Sequence, residues 1–94
     1  MNNINYEFSD EKNRKLVEER GIGFKEIIQA IQRGAVLDIL PHPNFKKYPN
    51  QEIYVIEIDN YVYLVPYIKS DDIIFLITIF PHRKLTRKYL KRSL

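Results

Sequence analysis

The second half of this chain is a long stretch of strand-forming residues that short polar pairs interrupt at two places. Segments rich in Tyr, Val and Ile cover residues 52–58, 61–68 and 72–80, and the interruptions are Asp59-Asn60 and Ser70-Asp71. β-branched and aromatic residues favour strands, and connections this short join antiparallel neighbours. The pattern predicts three strands in an antiparallel meander: Glu52 to Ile58, Tyr61 to Ile68 and Asp72 to Phe80.

The first third of the chain carries helix signals instead. Ser9 can cap a helix that runs from Asp10 to Arg20, and Gly21 ends it. A second helix, Phe24 to Arg33, has apolar residues at helical spacing and Gly34 as its stop. Those apolar residues are Phe24, Ile27, Ile28 and Ile31.

Shorter segments complete the order of elements. Val36 to Leu40 predicts a further strand, and Ile4 to Phe8 a short edge strand. Prolines 41, 43 and 49 predict an open loop after residue 40. The run 73–77 lacks polar alternation, which predicts a strand covered on both faces. We therefore expect an α+β fold: two N-terminal helices packed on an antiparallel four-stranded sheet, an extra edge strand, and a C-terminal helix.

Composition narrows the class of protein. Ninety-four residues allow one domain, residues 1–94. The chain has no Cys and only two His, so we expect no metal site and no cofactor. The longest apolar run, residues 73–80, is far shorter than a membrane span. We expect a cytoplasmic protein.

The last twelve residues, Arg83 to Leu94, carry six of the fifteen basic side chains and no acidic one. The other 82 residues hold nine Lys or Arg against twelve Asp or Glu, a net charge of −3. A segment with only basic charges typically binds nucleic acid, an anionic membrane or an acidic protein partner, because Lys and Arg neutralise phosphates and carboxylates.

The spacing of these cations predicts a helix with two different sides. At about 100° per residue they fall into two adjacent rows. The rows are Arg83, Arg87 and Lys91, beside Lys84, Lys88 and Arg92. Only Leu85, Tyr89 and Leu90 fall on the other side, which suits docking on a core better than attachment to a membrane.

Residues 81–84, Pro-His-Arg-Lys, connect the most apolar strand to this helix and form the best candidate site. Cleavage of RNA without a metal needs a base near the 2′-hydroxyl, cations on the phosphate and an acid for the 5′-oxygen. His82, Arg83 and Lys84 offer these groups. A lone His beside cations also suits positioning of a phosphate without catalysis.

Five tyrosines offer a second way to contact nucleic acid. They are Tyr48, Tyr54, Tyr61, Tyr63 and Tyr67. On an exposed sheet face such rings stack bases; alternatively they pack cross-strand with their hydroxyls in water.

Two motifs resemble those of BrnT-like toxins. Residues 8–13, Phe-Ser-Asp-Glu-Lys-Asn, and 19–26, Glu-Arg-Gly-Ile-Gly-Phe-Lys-Glu, are similar to that family's W-D-x-x-K and K-H-G-V-x-F-E-E. Residues 79–87 are similar to its closing strand and Arg-rich helix start. Phe8-Ser9, Glu19-Arg20 and residues 81–83 depart from the family's Trp-Asp, Lys-His and Ser-Ala-Arg.

The resemblance implies a RelE-like fold and the toxin half of a type II toxin–antitoxin pair. Such a toxin is a metal-independent endoribonuclease that cleaves messenger RNA and is neutralised by a cognate antitoxin. The motif-matching positions are Lys12, His82, Arg83 and Arg87. We expect His82 and Arg83 to be catalytic, and the RNA to be held by Lys12, Lys84, Arg87, Lys88, Lys91 and Arg92.

Two further possibilities stay open on the residues alone. The same scaffold could be a non-catalytic module that binds nucleic acid or an acidic protein segment. An apolar sheet edge would also allow a homodimer or a toxin–antitoxin hetero-oligomer.

Overall fold

The computed structural model describes residues 4–90 of the chain. Over these residues the fold is α+β, with three helices and a mixed sheet. In chain order the elements are β1 (Asn5–Glu7), α1 (Asp10–Arg20), α2 (Phe24–Gln32), β2 (Val36–Pro41), β3 (Gln51–Ile58), β4 (Tyr61–Ser70), β5 (Ile73–Leu76), β6 (Phe80–Pro81) and α3 (Arg83–Leu90).

Helix α1 begins and ends where its capping residues predict. The Ser9 hydroxyl accepts a hydrogen bond from the Lys12 amide at 3.2 Å, and Gly21 ends α1 with a left-handed φ of 72°. Helix α2 stops one residue earlier than expected, because Arg33 forms its C-cap.

The junction between α1 and α2 requires a glycine at position 23. The Phe24 amide donates to the Asn13 side-chain oxygen at 2.7 Å, which draws the two helices together. A Cβ on Gly23 would lie 2.6 Å from that same oxygen, closer than a carbon and a non-bonded oxygen can approach each other. The Glu26 carboxylate accepts from the Gly23 amide at 2.9 Å. Much of the motif at residues 19–26 therefore has a structural role.

The sheet has more strands than the sequence predicts, and it is mixed. Its order is β1-β5-β4-β3-β2, with β6 paired to β4 beyond the end of β5. The prediction of a four-stranded, wholly antiparallel sheet is wrong, because β1, the expected edge strand, pairs parallel to β5. The meander β2-β3-β4-β5 is antiparallel as predicted.

Two-residue turns connect β3 to β4 and β4 to β5. Asp59 and Asn60 both have positive φ, as the turn of a tight hairpin requires, and both residue types tolerate that conformation. The second turn is Asp71-Asp72, one residue later than predicted, because Ser70 still pairs with Ile73.

The predicted strand from Asp72 to Phe80 is broken by a bulge. Tyr67 pairs with Leu76 and Leu64 pairs with Phe80, so residues 77–79 face only two residues of β4. Side chains alternate along a strand, and one extra residue reverses the face that the following side chain occupies. Phe80 therefore lies on the opposite face of the sheet from Leu76.

A proline in β4 explains the position of this bulge. The Ile77 amide donates to the Pro66 carbonyl at 2.8 Å. Pro66 has no N–H with which to complete the pair, so the hydrogen-bond ladder ends there.

Each face of the sheet has its own apolar cluster. Helices α1 and α2 cover one face, where Leu16, Phe24 and Ile27 pack on β3 and β4. Helix α3 covers the other face, over Val55 and Val62. The inner strand β3 is consequently buried on both sides at residues 54–56.

The expectation that residues 73–77 are covered on both faces is wrong. Ile74 and Leu76 are buried, whereas Ile73 and Phe75 are exposed. Helix α3 packs on β4 and β3 and leaves β5 uncovered on its side, so β5 alternates between buried and exposed positions. Within residues 4–90, no helix combines the length and the apolar character needed to cross a membrane.

Candidate nucleic-acid interface

Helix α3 docks on the sheet through the side chains that its spacing predicts. Leu85, Tyr89 and Leu90 pack on the cluster formed by Val55, Val62 and Leu64. The Tyr89 hydroxyl donates to Asp38 of β2 at 2.9 Å, and this hydrogen bond raises the pKa of Tyr89. The helix is therefore anchored along its length, and its orientation is fixed.

The opposite side of α3 is cationic and faces solvent. Its exposed side chains are Arg83, Lys84, Arg87 and Lys88. Arg83 and Lys84 lie in the first turn, which contains no acidic residue. We call these four residues the α3 cationic face. Lys91 and Arg92, which were expected to extend it, lie outside the described residues.

His82 caps the helix on which these cations lie. Its Nδ1 accepts a hydrogen bond from the Leu85 amide at 3.2 Å, and its carbonyl accepts from the Thr86 amide at 3.0 Å. A neutral imidazole with one accepting nitrogen carries its proton on the other, so the half-buried ring presents Nε2–H as a donor. In this arrangement His82 is held rigidly by the helix that follows it.

Thr86 fixes the start of α3 on β4, a role that the sequence did not reveal. Its buried hydroxyl accepts from the Val62 amide at 3.0 Å and donates to the His82 carbonyl at 2.8 Å. The His82 amide in turn donates to the Val62 carbonyl at 2.9 Å. This network places His82 and Arg83 at a defined position beside the start of β4.

The structure does not bring Lys12 to the α3 cationic face. Lys12 is exposed on α1, and α1 packs through Leu16 on the sheet face opposite to α3. An RNA strand would have to pass around the sheet to touch both.

The tyrosines divide into buried and accessible pairs. Tyr54 and Tyr67 are buried and stacked with ring centroids 4.2 Å apart, so they are unavailable to bases. Burial raises the pKa of both, and for Tyr67 the hydrogen bond from its hydroxyl to Glu52, 2.6 Å long, raises it further. Tyr61 and Tyr63 are only half-buried and lie close to the start of α3.

Those two tyrosines line a pocket that the sequence did not predict. Its volume is about 360 Å³, and its other walls are Glu19 and Arg20 at the end of α1 and Pro81 before α3. The residues come from three separate parts of the chain, and only the alternation of β4 hints that Tyr61 and Tyr63 share a face.

His42 lies in a different environment from His82. The loop after β2 is closed by backbone hydrogen bonds, such as that from the His42 amide to the Gln51 carbonyl at 3.2 Å, rather than open as expected. The His42 ring accepts from the Asn44 amide at 2.9 Å and contacts the Tyr48 ring. These contacts give His42 a structural role in the loop.

No cluster of three or more His, Asp or Glu side chains able to hold a metal occurs among residues 4–90. Comparison with known proteins found no matching family model, no significantly similar curated protein and no significantly similar solved structure. The function must therefore be argued from the residues and the geometry of the chain itself.

Proposed function

We propose that this chain is the toxin of a type II toxin–antitoxin pair and acts as a metal-independent endoribonuclease on messenger RNA. The observation that carries the proposal is the α3 cationic face, which adjoins a rigidly held histidine. A RelE-like arrangement is part of the proposal. The two N-terminal helices, the antiparallel meander and the C-terminal helix support it, while β1 and β6 are additions to that plan.

Helix stability does not explain where the cations lie. The N-terminus of a helix carries partial positive charge, so cations in the first turn are unfavourable and anions favourable. Arg83 and Lys84 are placed in the first turn nevertheless. Together with the partial positive charge of the helix N-terminus they attract anions, which suits an RNA phosphate.

Cleavage at this phosphate would depend mainly on electrostatic stabilisation of the charge that develops in the transition state. Arg83 can donate two hydrogen bonds to phosphate oxygens and stabilise charge that develops as the 2′-oxygen attacks. In this step the 2′-oxygen bonds to phosphorus as the bond from phosphorus to the 5′-oxygen breaks. The 2′-hydroxyl proton passes to solvent, and the 5′-oxygen takes a proton from solvent. Nε2–H of His82 donates a hydrogen bond to the phosphate. Lys84, Arg87 and Lys88 then hold the flanking backbone.

One observation favours a second candidate function, a non-catalytic nucleic-acid-binding module. Nδ1 of His82 is occupied by the Leu85 amide, so the neutral ring has no free nitrogen to take the 2′-hydroxyl proton. The α3 cationic face would then bind RNA without cleaving it.

A cognate antitoxin is the proposed protein partner, and the edge strand β2 is the place we assign to it. β2 ends the sheet on one side, and its Leu37 and Ile39 side chains are exposed. An extended segment could add to this edge by main-chain hydrogen bonds. Pairing of two copies through β2 would give a homodimer by the same physics.

The cleavage proposal is tested by incubating the purified chain with end-labelled messenger RNA in EDTA. We expect the native chain to cut, and Arg83→Ala to cut about 100-fold more slowly, because it loses a donor to the developing charge. Arg33→Ala is the matched control, since Arg33 is exposed at the end of α2. It should cut at the native rate.

Two results would count against the proposal. RNA that stays intact with the native chain, while still binding it, supports the non-catalytic module. Cleavage by Arg83→Ala at the native rate removes Arg83 from the site. Binding is followed by a salt titration, in which loss of one phosphate-contacting cation such as Lys88 lowers the log–log slope by about 0.7 for a single strand.

A further inference from the structure

A pocket of about 360 Å³ opens beside the start of α3. Its walls are Glu19, Arg20, Tyr61, Tyr63 and Pro81, and its volume falls in the range of small-molecule sites. It faces the α1 side of the sheet, because Tyr63 packs against the cluster under α1 and α2.

The aromatic wall of the pocket is available to a ligand. Tyr61 and Tyr63 are half-buried, and their ring planes are tilted by 59° with centroids 5.8 Å apart. They are not stacked flat on each other as Tyr54 and Tyr67 are, at 4.2 Å and 23°. A flat ring can therefore lie against one of them, as bases do on aromatic side chains.

The polar wall favours an uncharged base over a phosphate. Arg20 offers a planar guanidinium that can stack on a base or donate to its carbonyl groups, and Glu19 offers an acceptor for exocyclic amino groups. Burial raises the pKa of Tyr63, and the nearby Asp59 carboxylate raises it further. Glu19 balances the charge of Arg20, so the wall has no net charge with which to attract a phosphate, and an uncharged base fits it better.

The pocket adjoins the proposed phosphate site. Pro81 forms a wall of the pocket, and Arg83 follows two residues later, so their Cα atoms are no more than about 7 Å apart. The pocket opens on the α1 side and α3 lies on the other side, so one strand would bend around the end of the sheet at Pro81 to place a phosphate on Arg83 and a neighbouring base in the pocket. The α3 cationic face and the pocket thus offer complementary surfaces for backbone and base.

We propose that the Tyr61–Tyr63 pocket binds an unpaired nucleobase of the RNA whose backbone lies on the α3 cationic face. This inference rests on the proposed function for its ligand. It assigns Tyr61 and Arg20 to base binding, and it makes single-stranded RNA the preferred substrate, because a paired base cannot enter the pocket.

The test measures binding, not cleavage, so that the two proposals can fail separately. Two fluorescent hexamers of 2′-O-methyl ribonucleotides, which cannot be cut, are titrated with the full chain: one carries all its bases and the other is abasic throughout. We expect the base-containing hexamer to bind about 5- to 150-fold more tightly, the range that stacking of one base supplies. Both should show the same salt slope.

Variants then locate the effect. Tyr61→Ala should remove the difference between the hexamers without weakening binding of the abasic one, and Tyr61→Phe should retain it. Phe45→Ala, a change at an exposed aromatic residue in the loop after β2, is the control and should behave as native. Arg20→Ala is a second variant at an exposed position, and it should also reduce the difference should Tyr61→Ala fail to fold.

The outcomes separate the proposals. Equal binding of the two hexamers by the native chain overturns the pocket even if the α3 cationic face binds both. A difference that survives in Tyr61→Ala and Arg20→Ala places the base elsewhere and also overturns it. Weaker binding of the abasic hexamer by Tyr61→Ala means that the pocket holds backbone, which overturns its assignment to a base. Failure to bind either hexamer overturns both the pocket and the RNA-binding function.

Discussion

At the scale of single residues, His82 joins a structural task to the proposed chemical one. Its Nδ1 caps α3 through the Leu85 amide, and its main chain is held by Val62 and Thr86. Capping is local, so any residue with a suitable acceptor can perform it. Donation from Nε2–H to a phosphate requires the imidazole. Variants can therefore separate the two tasks.

We expect His82→Ala to lower the free energy of unfolding by about 1 kcal/mol, because the Leu85 amide loses its acceptor. For a domain of this size that corresponds to roughly 4–8 °C in Tm. His82→Asn should restore most of the Tm, since Asn is a strong N-cap, without restoring cleavage in EDTA. Thermal melts and RNA cleavage are measured on the same preparations. If the His82→Asn variant also cleaved RNA at the native rate, the role of His82 would be reduced to capping.

At the scale of elements, local signals predicted α1, α2 and the hairpin of β3 and β4 well. Ser9, Gly21 and Asp59-Asn60 act through hydrogen bonds or backbone angles within a few residues, so a short window of sequence contains the whole interaction. The basic and apolar sides of α3 were predictable for the same reason, because helical spacing alone sorts them.

The features that the sequence did not predict depend on contacts between residues far apart in the chain. The break between β5 and β6 depends on Pro66, which lies in the neighbouring strand. The pocket joins Arg20 to Tyr61, 41 positions later, and no local pattern relates them. The attachment of α3 to β4 through Thr86 and Val62 is equally non-local. In the sequence alone, a Thr within a basic helix cannot be told from an ordinary surface residue.

The attachment of α3 to β4 yields a prediction about stability. Thr86→Val leaves the buried Val62 amide without its acceptor, so we expect the free energy of unfolding to fall by about 1–3 kcal/mol. Thr86→Ser keeps the hydroxyl and should lose about 1 kcal/mol or less, for one methyl group. Urea denaturation of both variants decides the point. An equal loss would show that packing, and not the hydroxyl, carries the contribution.

At the scale of the whole molecule, the two faces of the sheet have different properties. Helices α1 and α2 close one face around Phe24 and Ile27, both fully buried. On the other face α3 covers only part of the sheet, and Ile68, Ile73 and Phe75 remain exposed beyond it. The larger of the two apolar clusters therefore lies on the α1 and α2 side, and this side also contains Tyr54 and Tyr67.

The buried tyrosines predict a loss of stability at alkaline pH. Burial raises the pKa of Tyr54 and Tyr67 above the ordinary value of about 10, so the fold binds the protonated hydroxyls more tightly than the unfolded chain does. Their contribution is complete below pH about 10 and is lost as the pH rises towards the folded-state values.

Urea midpoints at pH 8 and pH 11 measure this effect. We expect the native chain to lose stability between the two pH values, and Tyr67→Phe to lose less, although it starts lower because it lacks the bond to Glu52. An equal loss in both proteins would mean that Tyr67 is not among the groups that titrate on unfolding.

The bulge at residues 77–79 affects how the fold can vary among related chains and how α3 can be transplanted to another sheet. Because it decides which face Phe80 occupies, it also decides on which face the chain begins α3. By the same alternation, a related chain that lacked the extra residue would present its basic helix on the same side as α1 and α2. The bulge, Pro66 and α3 should therefore be inherited as a unit, and a transplant of the helix to another sheet must carry all three.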